Sequence, residues 1–257
     1  MDVKKKALGI SLRLLRIAGA LLLIYVSMVF YLALTERRNA FPRAITHKEA
    51  REAIAGKAKS ITCSVEDGTV LEGWMLGNQG DPTLLYFPDA DEDATQFLAE
   101  IQEMQGTALI TFNYRGSGEN KGTPSEETFE LDARSILECA RQANGEPAFL
   151  AGRGTGAIPA ANLSGKEKKL ILIDPVGSIA DAVSGKYRLF YPKFLVRANT
   201  QISPETLDGA RHHTILLADR KMFGDRNHRF INVFGQISTV ERGQNTLRRT
   251  LSIAINE

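Results

Sequence analysis

The longest apolar stretch of the chain lies near its start. Residues 17–34 form a run of eighteen residues without a charge, which as a helix at about 1.5 Å per residue is roughly long enough to cross the hydrocarbon core of a bilayer. We predict a basic segment over 1–16, a transmembrane helix over 17–34 and a juxtamembrane linker helix over 35–59. A cleaved signal peptide is the alternative, but its apolar region is usually shorter and ends in a small-x-small site.

Short apolar runs then alternate with helical patterns along the rest of the chain. Two strand-like runs, 60–65 and 69–76, flank the Asp67-Gly68 dipeptide, which favours a hairpin turn. Five more runs have the length of buried strands: 82–87, 108–112, 148–151, 170–174 and 214–218. Helical patterns separate them at 92–104, 125–143, 158–163 and 179–188. This alternation predicts one doubly wound α/β domain over 60–257, with a mostly parallel sheet covered on both faces.

Charge is distributed unevenly along the chain. Residues 1–34 carry a net charge of +4 within a total of +2, so the remainder is mildly acidic and does not favour nucleic acid as a partner. More basic residues precede the apolar run than immediately follow it, which predicts a cytoplasmic N-terminus and a main domain outside. The lipid bilayer is the expected partner of 17–34, and a membrane protein is a second candidate partner.

The two cysteines carry no recognisable motif. Cys63 falls in a predicted strand and Cys139 in a predicted helix, and their spacing is unlike that of a metal site. We interpret them as two separate buried thiols. No metal site and no cofactor are expected from the sequence.

A glycine-rich corner follows the predicted strand at 148–151. The string FLAGRGTGA (149–157) passes from an apolar strand through three alternating glycines into a helix of small residues. A nucleophile elbow, Gly-x-Ser-x-Gly, has this arrangement. Gly154 occupies the central position, and a glycine has no side chain that could attack a substrate.

Two further strings carry a family resemblance: NYRGSG at 113–118 and GTPSE at 122–126, followed by Asp132. Together with the opening hairpin they resemble the membrane-anchored, peptidase-like branch of the α/β-hydrolase superfamily, which includes serine aminopeptidases and prolyl-oligopeptidase-like enzymes. The resemblance covers about 61–251 and implies the α/β-hydrolase fold. It also implies a serine nucleophile, a histidine base, an acid and oxyanion donors.

Each catalytic element that the resemblance implies has lost its usual residue. Gly154 stands at the nucleophile position, Lys221 at the acid and Gln244 at the base. In the oxyanion loop, Asp89 would bring negative charge to the place where negative charge must be stabilised, if its side chain points inward. Four departures together predict a pseudoenzyme without catalytic residues, acting as a binding or scaffolding subunit at the membrane surface.

A vestigial pocket is expected at the carboxyl ends of the strands, near Asp89, Ser117, Arg153, Gly154 and Thr155. Backbone N–H groups at the elbow are suited to a small anion, although Asp89 opposes one.

The alternative interpretation is an active serine hydrolase, esterase-like or peptidase-like, with a nonstandard catalytic set. Ser117 with His228 would be an example of such a set. In the family that the chain resembles, however, the position of Ser117 is a structural turn residue.

Overall fold

The computed structural model describes residues 2–41, 43–165, 168–205, 214–218, 238–241 and 246–256. Within these ranges, eight strands form one sheet in the order β1-β2-β4-β3-β5-β6-β7-β8. The strands are β1 (Lys59–Ser64), β2 (Val70–Leu76), β3 (Thr83–Phe87), β4 (Ala108–Phe112), β5 (Phe149–Arg153), β6 (Lys169–Ile173), β7 (Thr214–Ala218) and β8 (Ser238–Glu241). β2 pairs antiparallel with β1 on one side and with β4 on the other. The remaining neighbours in this order, from β4 to β8, pair parallel. The mostly parallel sheet is therefore confirmed.

Helices cover both faces of this sheet. They are α1 (Asp2–Ala40), α2 (Lys48–Ile54), α3 (Ala94–Ile101), α4 (Glu126–Asn144), α5 (Ala157–Ser164), α6 (Ile179–Tyr187) and α7 (Leu247–Asn256). The end of α1 packs with α4, α5 and α6 on one face, and α2, α3 and α7 cover the other. β3 and β4 are buried along their whole length, which explains why they are apolar on both sides rather than alternating.

The linker is not one continuous helix. α1 continues to Ala40, beyond the predicted end of the transmembrane run, and only 48–54 of the following residues are helical again. Between them the chain is held by the domain: Arg43 N donates to Ala90 O at 2.8 Å, and His47 N donates to the Asp93 carboxylate at 2.8 Å. These contacts with the loop after β3 replace helical hydrogen bonds, so the helix predicted over 35–59 is interrupted.

Cys63 and Cys139 form a disulfide, so their interpretation as two separate thiols is wrong. Cys63 lies on β1 and Cys139 on α4, and α4 packs against that strand. Their Cα atoms are 5.6 Å apart although 76 positions separate them in sequence. The pairing depends on how a helix crosses the sheet, which no spacing motif encodes.

Replacing both cysteines by alanine is expected to lower the free energy of unfolding by about 4 kcal/mol. The crosslink closes a loop of 76 residues, and its removal restores conformational entropy to the unfolded chain. Chemical denaturation of the full chain in detergent, with and without reductant, measures the change. Reductant should destabilise the wild type and leave the Cys63→Ala/Cys139→Ala variant unchanged; equal sensitivity of the two proteins would contradict the assignment.

Candidate functional site

The glycine-rich corner forms a sharp turn between β5 and α5. A short 3₁₀ turn covers Gly154–Gly156, and Gly154 has φ +52°, in the left-handed region that favours glycine. A Cβ atom on Gly152 would overlap the backbone oxygen of Gly156, and one on Gly156 would overlap the backbone oxygen of Phe87. Close backbone packing therefore requires the two outer glycines, and the corner has the shape of a nucleophile elbow.

The side chain of Asp89 points into this elbow. Its Oδ1 atom accepts hydrogen bonds from Thr155 N at 2.8 Å, Thr155 Oγ1 at 2.8 Å and Ala90 N at 2.7 Å. A Cβ atom built on Gly154 would overlap the same carboxylate. The central glycine is thus required by a second constraint besides its backbone angle, because Asp89 occupies the space that a side chain at 154 would need.

Glu92 holds the loop that carries Asp89. Its carboxylate is buried, accepts hydrogen bonds from Tyr86 Oη at 2.6 Å and Asp89 N at 3.1 Å, and pairs with Arg153 Nη1 at 2.6 Å. Burial raises the pKa of Glu92, and the charge of Arg153 opposes that rise. Arg153 also pairs with Glu100 at 3.0 Å. These contacts fix the loop after β3 against the end of β5.

A cleft of about 650 Å³ lies beside the elbow. Acidic side chains dominate its lining, with one arginine and one histidine among them: Glu49, Asp89, Asp91, Glu92, Glu100, Arg153 and His47. The cleft is therefore lined mainly by acidic side chains, two of which, Glu92 and Glu100, pair with Arg153.

The predicted pocket residues are found in two places. Asp89 and Arg153 line the cleft, and Gly154 and Thr155 contact Asp89 at the elbow. Ser117 is not among the cleft residues: it is buried, and its Oγ accepts a hydrogen bond from Ala44 N in the linker at 3.0 Å.

Three residues named from the sequence, Lys221, His228 and Gln244, lie outside the described residues.

Sequence analysis missed Glu92 and His47. Glu92 stands in the acidic run DADED (89–93), where the sequence does not distinguish a buried bridging carboxylate from a solvated one. His47 lines the cleft and its Nδ1 accepts a hydrogen bond from Ala50 N at 3.2 Å, capping α2. The bridging role of Glu92 can be recognised only in the folded structure, where Tyr86 and Arg153 lie beside its carboxylate.

No family model matches the chain. An uncharacterised protein of Mycobacterium tuberculosis is 25% identical over 185 residues, which cover 68% of this chain and 66% of that protein. The uncharacterised protein YfhR of Salmonella typhi is 30% identical over 119 residues, which cover 39% of this chain and 38% of YfhR. The aligned region therefore covers only part of the length of each relative.

Solved structures match a larger share. An α/β hydrolase from Vibrio vulnificus has a TM-score of 0.59 at 19% identity, covering 84% of this chain and 95% of that chain. The Pyrococcus furiosus esterase Pf2001 has a TM-score of 0.58 at 14% identity, covering 84% and 95%. The chain has the α/β-hydrolase fold. At these identities the likeness concerns the α/β-hydrolase fold alone, and the chemistry must be argued from the site.

Gly154→Ala is expected to destabilise the protein more than Gly68→Ala, by about 1–3 kcal/mol, because it adds overlap with Asp89 to the backbone strain. Gly68 is a matched control: its φ is +83°, and a Cβ there meets no heavy atom within 4 Å. Chemical denaturation of the full chain measures both changes.

The overlap is isolated by adding Asp89→Ala. Asp89→Ala alone should destabilise the protein, because it leaves the N–H groups of Thr155 and Ala90 without their acceptor. The double variant Asp89→Ala/Gly154→Ala should lose less stability than the sum of the two single variants. Strict additivity would show that the two positions do not compete for the same space.

Proposed function

We propose that the chain is a membrane-anchored α/β-hydrolase-like pseudoenzyme, related to the peptidase-like branch of the superfamily, that acts as a binding or scaffolding subunit at the membrane surface. One observation carries this proposal: a carboxylate of the chain itself, that of Asp89, receives the hydrogen bonds at the elbow.

The first support is the identity of the donors. In this fold the oxyanion hole combines the N–H of the residue after the nucleophile with an N–H from the loop after the first parallel strand. Thr155 follows Gly154, and Ala90 lies in the loop after β3. Their N–H groups meet Asp89 Oδ1 at 2.8 and 2.7 Å, within the range over which such donors stabilise an oxyanion. A carboxylate oxygen of the chain itself takes the place of the oxyanion that a reaction would develop.

The second support is the absence of a side chain at position 154, the centre of the elbow. Gly154 cannot attack a carbonyl, and a serine built there would compete with Asp89 for space. The resemblance adds Lys221 and Gln244 at the acid and base positions, neither of which orients or shuttles a proton as aspartate and histidine do. Loss of nucleophile and oxyanion site together argues against hydrolysis by the serine route.

The alternative, an active hydrolase using Ser117, fits the contacts less well. The Ser117 hydroxyl is buried, and it accepts a hydrogen bond from the linker rather than facing the acidic cleft. A nucleophile needs a neighbouring base and access to the substrate. The solved structures of this fold include esterases, so labelling experiments must test the alternative directly.

Anchoring and topology rest on three features. α1 is long and apolar enough to span a membrane, and the basic residues before its apolar run favour a cytoplasmic N-terminus. The Cys63–Cys139 disulfide favours an oxidising compartment for the domain. Together they support a single-pass protein with its main domain outside, and a membrane-protein partner would meet it there.

The full chain is expected neither to react with a broad fluorophosphonate probe nor to hydrolyse short-chain esters above the buffer rate. The physical reason is that Gly154 has no side chain to act as a nucleophile and that the N–H donors at the elbow are occupied by Asp89. Gel fluorescence of the purified, folded protein beside a known serine hydrolase is the measurement.

Two serine variants identify any nucleophile that the probe does find. Labelling that disappears in Ser117→Ala but persists in Ser178→Ala would overturn the pseudoenzyme proposal and assign Ser117 as the nucleophile. Ser178 is a suitable control because it is equally buried and bonds to Asp181 at 2.7 Å, within its own turn.

Topology is tested by fusing reporters to the C-terminus of the full chain in a bacterial host. Alkaline phosphatase, which needs disulfides, should be active, and green fluorescent protein should stay dark. The opposite pair of signals would place the domain in the cytoplasm. A variant with Lys4, Lys5 and Lys6 replaced by glutamate should reduce phosphatase activity, because it removes the charge bias that orients α1.

A further inference from the structure

An exposed apolar patch lies on the segment that follows α6. Leu189 is 84% exposed, Phe190 52% and Phe194 84%, and we call these three side chains the cap patch. They stand on two short 3₁₀ turns, Arg188–Phe190 and Lys193–Leu195. Single exposed apolar residues are ordinary on a protein surface, but three large ones within six positions mark an interaction site.

Hydrogen bonds fasten this segment to α1. Tyr25 Oη donates to Leu189 O at 3.2 Å. Eleven residues further along the helix, the buried carboxylate of Glu36 accepts from Tyr191 Oη at 2.6 Å and from Arg197 N at 2.8 Å. The cap patch is therefore held beside the helix at two levels.

The attachment places the cap patch beside the apolar run of α1. Tyr25 lies in the middle of the apolar run 17–34, and nine residues separate it from Leu34, or about 13 Å along the helix. Leu189 is hydrogen-bonded to Tyr25, so it lies beside the middle of that apolar run rather than at its C-terminal end.

The length of α1 that precedes its packing on the domain supports the same position for the cap patch in a membrane. Apart from the hydrogen bond of Tyr25, α1 begins to pack on the domain's apolar core at Met28. Residues 17–27 alone span about 16 Å, roughly half of a hydrocarbon core of about 30 Å. Burying a full core before Met28 would draw Arg13 and Arg16 inward, which is costly for charged side chains. Lipid alongside the packed part of α1 avoids this cost, and lipid there also meets the cap patch.

Basic side chains occur in the segments next to the cap patch and at the end of α1. Lys186 is exposed, Arg197 has a side chain that is 74% exposed, and Lys193 is half exposed while pairing with Asp181 at 2.7 Å. Arg37 and Arg38 lie in the last turn of α1. An exposed apolar surface with basic side chains in the adjoining segments suits an anionic or zwitterionic membrane interface, where long basic side chains reach the headgroups.

We propose that the cap patch inserts into the outer leaflet of the membrane beside α1, with the lipid bilayer as its occupant. The proposal rests on the membrane anchoring proposed above. It goes further in one respect: the domain is seated on the membrane in a fixed orientation, rather than tethered to it by a flexible stalk.

Quenching of single tryptophans by brominated lipid tests the insertion. Trp74 is the chain's one tryptophan and is 7% exposed, so Trp74→Phe provides a background in which an added tryptophan is read alone. Three variants of the full chain carry a tryptophan in this background: Phe194→Trp in the cap patch, Leu22→Trp on the free part of α1, and Val70→Trp on β2 as the exposed control. Each is reconstituted in phosphatidylcholine vesicles with plain or brominated acyl chains.

Phe194→Trp and Leu22→Trp should each lose about half of their emission or more in brominated vesicles, and Val70→Trp should lose almost none. If Trp74→Phe does not fold, the same replacements in the native background are read as the change relative to wild type, in which buried Trp74 should not respond.

The other outcomes separate the two proposals. Quenching of Leu22→Trp without Phe194→Trp would keep the anchor and overturn insertion of the cap patch, and a second copy or another protein would then be its cover. Quenching of Phe194→Trp without Leu22→Trp would show contact of the cap patch with lipid but would overturn the transmembrane anchor, and with it insertion beside a membrane-spanning α1. Quenching of neither would overturn both. Equal quenching of Val70→Trp and Phe194→Trp would indicate general adsorption and overturn the insertion.

Discussion

The carboxylate of Asp89 and any side chain at position 154 compete for one small volume. Asp89 occupies it, supported by three hydrogen-bond donors, and position 154 is glycine. The contact joins the loop after β3 to the corner after β5. It is also connected to the linker, because Ala90 donates its N–H to Asp89 while its oxygen accepts a hydrogen bond from Arg43 N. The elbow and the linker from α1 therefore share one hydrogen-bonded loop.

Asp89 and Glu92 lie close together, and each carboxylate is stabilised by a different set of partners. Asp89 receives N–H and hydroxyl donors at the start of α5, whereas Glu92 is buried against Tyr86 and pairs with Arg153. Burial raises the pKa of Glu92, so its ionised form depends on that arginine. An esterase of the same fold keeps such donors available for a developing oxyanion. The same backbone framework is compatible with either use, because function depends on the side chains at the strand ends.

α1 has two environments along its length. Its first part is exposed and apolar, while Leu32, Glu36 and Ala40 are buried against the domain. A helix that only anchors a domain would need no buried carboxylate, yet Glu36 accepts hydrogen bonds from the segment after α6. α1 is therefore part of the domain's packing and not only a candidate membrane span. The disulfide between β1 and α4 braces the same layer of helices from the other end of the sheet.

Much of the architecture follows from local patterns. The apolar runs at 108–112 and 214–218 are strands, the Asp67-Gly68 turn joins a hairpin, and the glycines at 152, 154 and 156 form an elbow. These features depend on residues near each other in sequence, where periodicity and backbone conformation act directly. The loss of a side chain at position 154 was also readable from the sequence, since it needs only the identity of one residue.

Only the tertiary structure decided which distant groups meet. The sequence left open the direction of Asp89, treated Glu92 as one acid among several, separated two cysteines that are joined, and extended a linker helix through residues that the domain holds in another conformation. Each of these depends on contacts between segments tens of residues apart. A hydrogen-bond donor or a cysteine sulfur reaches its partner only after the sheet and its helices have packed. The local sequence pattern therefore does not indicate which distant residues will pair.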